Sequence, residues 1–184
     1  MRERKSRNPK TLVGSLLVAH PALRDPNFRR AVVLMTAHGT EGATGMVINR
    51  PMNRKLGELG GEFALGGLEG VPLFKGGPVE TEKLILAAWR AHPEGFQLHL
   101  GLDPYKAGGL LGEADTHLRA FFGYSGWGSG QLEKELEHNT WIVARAPPDL
   151  FTRLGDVTLW RNVLAAEGPE WRLIAEEPDN PESN

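Results

Sequence analysis

The chain has 184 residues, a length that suits one domain with a real hydrophobic core. Gly and Pro together make up about a fifth of it, above the ordinary share but below the roughly 25–30% that marks disorder. There is no Cys, which excludes disulfides, thiolate zinc sites, iron–sulfur clusters and cysteine nucleophiles, and the formal charge of -2 supplies no global basic field for nucleic acid.

Residues 1–11 read as a disordered basic arm, with Arg2, Arg4, Lys5, Arg7 and Lys10 against Glu3. The plain reading is a solvated tail; the sharper one is an arm for an acidic partner, the single route by which this chain would meet nucleic acid. Leu12–Ala19 (LVGSLLVA) follows. It is at the short end for a signal-peptide core, is interrupted by Gly14 and Ser15, and ends at His20-Pro21, so a buried first strand is expected. No run approaches the ~18 apolar residues of a membrane span, and the cytoplasm is the expected location.

Asp25-Pro26 pairs an N-cap with a first-position proline and predicts a short helical turn. Ala31–Ala37 and Thr44–Asn49 are strand candidates joined by the turn residues of Gly39–Gly42, which predicts a hairpin that Pro51 brings to an end. Leu56, Leu59 and Phe63 have helical spacing, so residues 54–65 are expected to form a helix weakened by Gly57, Gly60 and Gly61. Strands are predicted at Pro72–Lys75, Lys83–Trp89 and Phe96–Leu102, and a helix from Asp103-Pro104 to about Ala114. Leu118–Tyr124 is the next strand, Gln131–His138 a helix capped by Ser129, and Trp141–Ala144 the last strand. Helix is expected at Pro147–Phe151 and Thr158–Glu167, and an acidic, disordered tail over residues 176–184. The alternation predicts an α/β fold, a mixed β-sheet covered by helices, in one domain over residues 12–175.

Catalytic motifs are missing. Gly126–Gly130 looks like a phosphate loop but lacks its spacing, and the following helix offers only a possible anion site at its N-terminus. Gly123–Trp127 misses the nucleophile elbow because Trp127 stands where a glycine is needed. Ser125 would need a base, for which His138 is the candidate. His20 and His38 end neighbouring strands and could meet as a metal pair, although ordinary loop histidines are the plainer reading. Glu133 and Glu137 share a helical face, and the tryptophans suit a core or an interface better than base stacking. No catalytic residue, metal ligand or cofactor is therefore assigned.

Taken in order, Gly14–Pro21 (GSLLVAHP), Asp25–Phe28 (DPNF), Val33–His38 (VLMTAH), Gly42–Pro51 (GATGMVINRP), Gly76–Val79 (GGPV), Phe122–Glu135 (FGYSGWGSGQLEKE) and Trp141 resemble the YqgE/AlgH family of bacterial proteins. The resemblance implies an α/β main body with a smaller inserted α/β lobe, here residues 81–117. It implies little about activity; some members are tied to transcriptional regulation of exopolysaccharide production. The absence of Cys removes thiol-based sensing here.

Read physically, Arg50 at a strand end suits a carboxylate or phosphate, and Gly76-Gly77-Pro78 makes a corner that leaves amides exposed. Gln131 and Glu135 lie one helical turn apart. A polar cleft is expected if Asn49, Arg50, Gly76, Gly77, Tyr124, Trp127, Gln131 and Glu135 converge; otherwise these residues brace the fold, with Arg50 paired to Glu135. Two functions follow. One is a non-enzymatic regulatory or partner-binding protein, with a protein or small-molecule partner and no membrane. The other is a small-ligand sensor or enzyme that uses the cleft.

Overall fold

The computed structural model describes residues 11–156 and 158–175; the expected basic arm over 1–10 and acidic tail over 176–184 lie outside the described residues. The strands are β1 (Ser15–Ala19), β2 (Val32–Gly39), β3 (Gly42–Val47), β4 (Pro51–Lys55), β5 (Pro72–Lys75), β6 (Val79–His92), β7 (Gly95–Leu100), β8 (Thr116–Gly128) and β9 (Trp141–Arg145). The helices are α1 (Pro104–Leu110), α2 (Gln131–Glu137), α3 (Leu159–Ala166) and α4 (Pro169–Ala175). Among the described residues no helix is long and apolar enough to cross a membrane.

The expected α/β architecture is present as a mixed sheet, ordered β4-β5-β8-β3-β2-β1-β9, with β6 joined to β8 and β7 to β6. The hairpin across Gly39–Gly42 is there, with His38 opposite Ala43. The long strand β8 unites two half-sheets. Its end pairs antiparallel with β3, Ser125 opposite Gly45, while its first part lies between β5, parallel, and β6, antiparallel.

Strands β1 and β2 are apolar at successive positions because both of their faces are covered. Leu16, Val18, Val32 and Leu34 face one core, with Trp89 and Phe121 of the second half-sheet; α3 closes it with Leu159, Trp160, Val163 and Leu164. Leu17, Ala19, Val33 and Met35 face a second core, closed by Leu132 of α2 and by Phe28. A third core lies under the second half-sheet, where Leu73, Leu86, Leu118 and Ala120 meet Leu56, Leu68 and Ala107 of α1. Each fully buried Leu or Phe contributes about 1.5–3 kcal/mol relative to exposure.

Several local expectations change. Residues 54–65 do not form a helix. Lys55 ends β4, and two short 3-10 turns follow, Leu56–Leu59 and Gly61–Ala64. A helix is broken there by positive φ at Gly60 and Gly61. Pro51 opens β4 rather than ending a strand, as suits a proline at the first residue of an edge strand. The Asp25–Arg30 segment is a turn in which Asp25 Oδ1 accepts the Asn27 N–H at 2.8 Å. The Asp103 cap holds, its Oδ1 accepting from Lys106 N, but α1 stops at Leu110. Gly130, at φ 71°, caps α2 in place of Ser129, whose hydroxyl donates to Thr40 O. At 147–152 only a 3-10 turn forms, Leu150–Thr152, and α4 was not anticipated.

Candidate functional site

The chain between β5 and β6 has to pass from one edge of β8 to the other, because Lys75 pairs with Phe122 on one side and Val79 with Tyr124 on the opposite side. It crosses directly over the β8 backbone. A Cβ on Gly77 would collide with the main chain of Tyr124 and Ser125, and one on Gly123 would lie 2.6 Å from Gly77 O and 2.8 Å from Val79 O. Gly123 also has φ 68°. Glycine is thus required at Gly77 and Gly123 by the crossing itself. The Gly76 carbonyl accepts from Val47 N at 2.8 Å and from the buried Ser125 hydroxyl at 3.2 Å. Ser125 therefore pins the crossing and is no nucleophile, and His138, the candidate base, holds the Lys134 carbonyl of its own helix at 2.6 Å.

Past the crossing, β8 and α2 build a saturated cluster. Glu135 Oε2 accepts the indole N–H of Trp127 at 2.8 Å and of Trp141 at 2.7 Å, while Oε1 accepts from the Gln131 amide at 3.0 Å. Gln131 Oε1 takes the Gly128 N–H at 3.0 Å. Phe28 meets Trp141 edge-on at 5.4 Å between centroids, and Trp127 and Trp141 meet at 5.9 Å. The half-buried Glu135 carboxylate and both indole N–H groups each have a partner, as groups set against an aromatic surround require, and the exposed Gln131 ties them to the β8 main chain.

Asn49 and Arg50 sit where β3 gives way to β4. The Asn49 side chain accepts from Val32 N and donates to Arg30 O, both at 2.9 Å, so it substitutes for a ladder rung beside β2. Arg50 does not pair with Glu135. Its guanidinium donates to Pro26 O at 3.1 Å and Arg29 O at 3.0 Å and so closes the Asp25–Arg30 turn. Burial pushes the Arg50 guanidinium below its ordinary value, and the nearby Asp25 carboxylate pulls it partly back.

Arg50 forms one wall of a cleft of about 480 Å³. The cleft opens between the second and third cores: Val47 belongs to the second and Phe122 packs against the third. Apolar surface comes from Val47, Met52, Leu59, Pro78 and Phe122, and charge from Arg50, Arg54, Lys75 and Glu82. Arg54 is paired with Glu58 at 3.3 Å. Lys75 and Glu82 carry no ion pair or side-chain hydrogen bond among the described residues. A smaller cleft of about 260 Å³ lies on the far side of Arg50, lined by Arg29, Arg30, Asn49, Trp160 and Arg161.

Of the eight residues singled out in the sequence, Arg50 and Gly77 line the larger cleft and Asn49 the smaller. Gly76 and Tyr124 lie at the crossing, and Trp127, Gln131 and Glu135 belong to the aromatic cluster. Lys75, Arg54 and Glu82 were missed, although Lys75 directly precedes Gly76-Gly77-Pro78 and was the available signal. The two histidines are spent separately. His20 Nδ1 accepts from Ala22 N, whereas His38 Nδ1 accepts from Leu12 N and its Nε2 donates to Glu133 at 2.9 Å. Among the described residues no three His, Asp or Glu are grouped to hold a metal ion.

The crossing, the Glu135 cluster and the Asn49-Arg50 turn occupy one continuous stretch that a known family's model also spans: the AlgH-like model matches residues 16–172. The chain belongs to the AlgH-like family. A UPF0301 protein of Streptomyces coelicolor is 39% identical, with 95% of this chain and 96% of that one covered. One from Chlorobium limicola is 31% identical over 93% and 95% of the two chains. Among solved structures, AlgH of Pseudomonas aeruginosa superposes with a TM-score of 0.66 at 25% identity, covering 98% of this chain and 100% of that one. Protein DIP2367 of Corynebacterium diphtheriae gives 0.70 at 23% identity over 89% and 91%, a likeness of fold. The expected YqgE/AlgH membership is thereby established, and the solved AlgH structure shares this α/β architecture.

Proposed function

We propose that this AlgH-like protein is a non-enzymatic binding protein and that the Arg50–Lys75 cleft is where it takes an anionic partner group. The observation that carries this reading is the contrast within the cleft. Arg50 is held in place by two main-chain carbonyls, while Lys75 beside it has no side-chain partner among the described residues. The positioned guanidinium binds an anion with little further ordering cost, and the ammonium above apolar surface adds a second charge-assisted contact. Among the described residues that line the cleft no nucleophile is hydrogen-bonded to a base, which supports binding over turnover. A regulatory role in the cytoplasm, for some relatives in transcription, is what the family resemblance adds.

The test is a thermal-shift panel of small carboxylates, phosphates and sulfates on the wild type and on Lys75→Met. At least one anion should stabilise the wild type and lose that effect in the variant. Shifts that persist unchanged in Lys75→Met, or a panel in which no anion acts, would overturn the assignment. A parallel hydrolase and phosphatase screen should be silent; turnover that Lys75→Met abolishes would favour the enzyme reading.

A further inference from the structure

Resting on that reading of the cleft, we propose that its ligand is a phosphate monoester carried on an apolar, ring-sized body, a molecule of the nucleoside monophosphate class.

The first argument is charge. Arg50, Arg54 and Lys75 face the cleft against Glu82 alone, and the Arg54–Glu58 pair neutralises only one of the three cations. Arg50 and Lys75 against Glu82 then leave one positive charge over, which calls for an anionic head, and the choice between phosphate and carboxylate rests on the donor supply. The second is donor supply. A guanidinium has five N–H donors, of which Arg50 commits two to Pro26 O and Arg29 O. Three remain, in a fixed fork, and the Lys75 ammonium adds three more. Gly77, on the cleft wall, has a main-chain N–H that donates to no acceptor among the described residues. That is more donors than a two-oxygen carboxylate uses, and it suits three phosphate oxygens.

The third argument is the rest of the cavity. A volume of about 480 Å³ is far more than a bare phosphate fills, and it lies within the range of pockets that take drug-sized molecules. Met52, Leu59, Pro78 and Phe122 supply the apolar surface for a ring-bearing body, and Phe122 is held against the third core. Glu82, unpaired on the same wall, accepts from an amine or hydroxyl on that body and repels a second anion. The combination of cation, apolar surface and a single acceptor selects an anionic head on an otherwise uncharged body.

Isothermal titration of the full chain at fixed ionic strength decides it, with adenosine 5′-monophosphate, phenyl phosphate, adenosine, inorganic phosphate and benzoate as probes. The monophosphate should bind at least about tenfold more tightly than adenosine or inorganic phosphate, with phenyl phosphate in between, and Lys75→Met should remove about tenfold of that affinity. Glu82→Gln, which touches no folding contact, should raise the affinity for inorganic phosphate and lower the preference for the adenine-bearing ligand. Inorganic phosphate binding as tightly as the monophosphate would overturn the proposal, since the apolar surface would then have no part. Benzoate binding with Lys75 dependence while the phosphates fail would overturn the ligand class and leave the cleft reading standing. Phosphate binding that is equal in wild type and Lys75→Met would overturn both.

Discussion

The Glu135 cluster and the Arg50 cleft lie on the same side of the sheet, joined by the Asp25–Arg30 turn. Phe28 packs into the first and Asn27 lines the second. Motif residues stand in both, Arg50 and Gly77 in the cleft and Trp127, Gln131 and Glu135 in the cluster, yet the two end in opposite chemical states. In the cluster, the polar atoms satisfy one another: one carboxylate takes two indoles and an amide. In the cleft, Arg50 keeps donors in reserve and Lys75 has no side-chain partner among the described residues. Polar groups that satisfy one another hold a fold together, and polar groups left over beside a cavity are available to something else.

The largest effect should come where the two regions share a backbone. Gly77→Ala puts a Cβ into the Tyr124 main chain, which cannot move aside, and should cost more than about 4 kcal/mol, read as loss of soluble, folded protein by circular dichroism. Gly109→Ala, with open space around it, is the control and should be neutral or stabilising. Next, Glu135→Ala strips the acceptor from two indoles at once and should lower unfolding free energy by about 3 kcal/mol in urea titrations followed by tryptophan fluorescence. Anion binding should survive in whatever fraction stays folded. If Glu135→Ala were as stable as wild type, the cluster would lose its structural status and the contrast with the cleft would fail.

Arg50→Met should show both characters, losing about 1–2 kcal/mol with its two carbonyl bonds and losing anion binding as well. Lys75→Met should change stability by less than about 0.5 kcal/mol while removing binding, which is the sharpest separation of the two regions. The smallest effect is a pH dependence. The hydrogen bond from His38 holds the Glu133 carboxyl below the ordinary glutamate range. A carboxyl whose folded value is depressed adds stability that is present above its unfolded value and is lost as pH falls through the folded one. Urea midpoints of wild type and Glu133→Gln should therefore differ slightly near neutrality and converge in acid; a gap that widens on acidification would contradict the sign.

Much of the fold could be read locally. The double-sided apolar runs of β1 and β2, the Gly39–Gly42 hairpin and the Asp103-Pro104 helix start are each encoded within a few residues. No helix forms over 54–65, since the positive φ at Gly60 and Gly61 splits the stretch into two 3-10 turns despite the helical spacing of Leu56, Leu59 and Phe63. The site was legible only in part. Arg50 and Gly77 were identified from their motifs, whereas Lys75 and Glu82 carry no mark of their own beyond position.

What the sequence determined by itself was therefore most of the strands, the starts of α1, α2 and α3, the α/β class and the family, because propensity, turn chemistry and alternation act over short stretches. What the tertiary structure decided was the use of each motif. Gly76, Gly77 and Gly123 proved to be the two sides of a chain crossing, and the partner of Glu135 proved to be a pair of tryptophans rather than Arg50. The contacts at the crossing join residues tens of positions apart, set by sheet register and strand order, whereas Glu135 reaches indoles eight and six residues away on the strands that flank its helix; in neither case does a local signal record which group will satisfy a given donor.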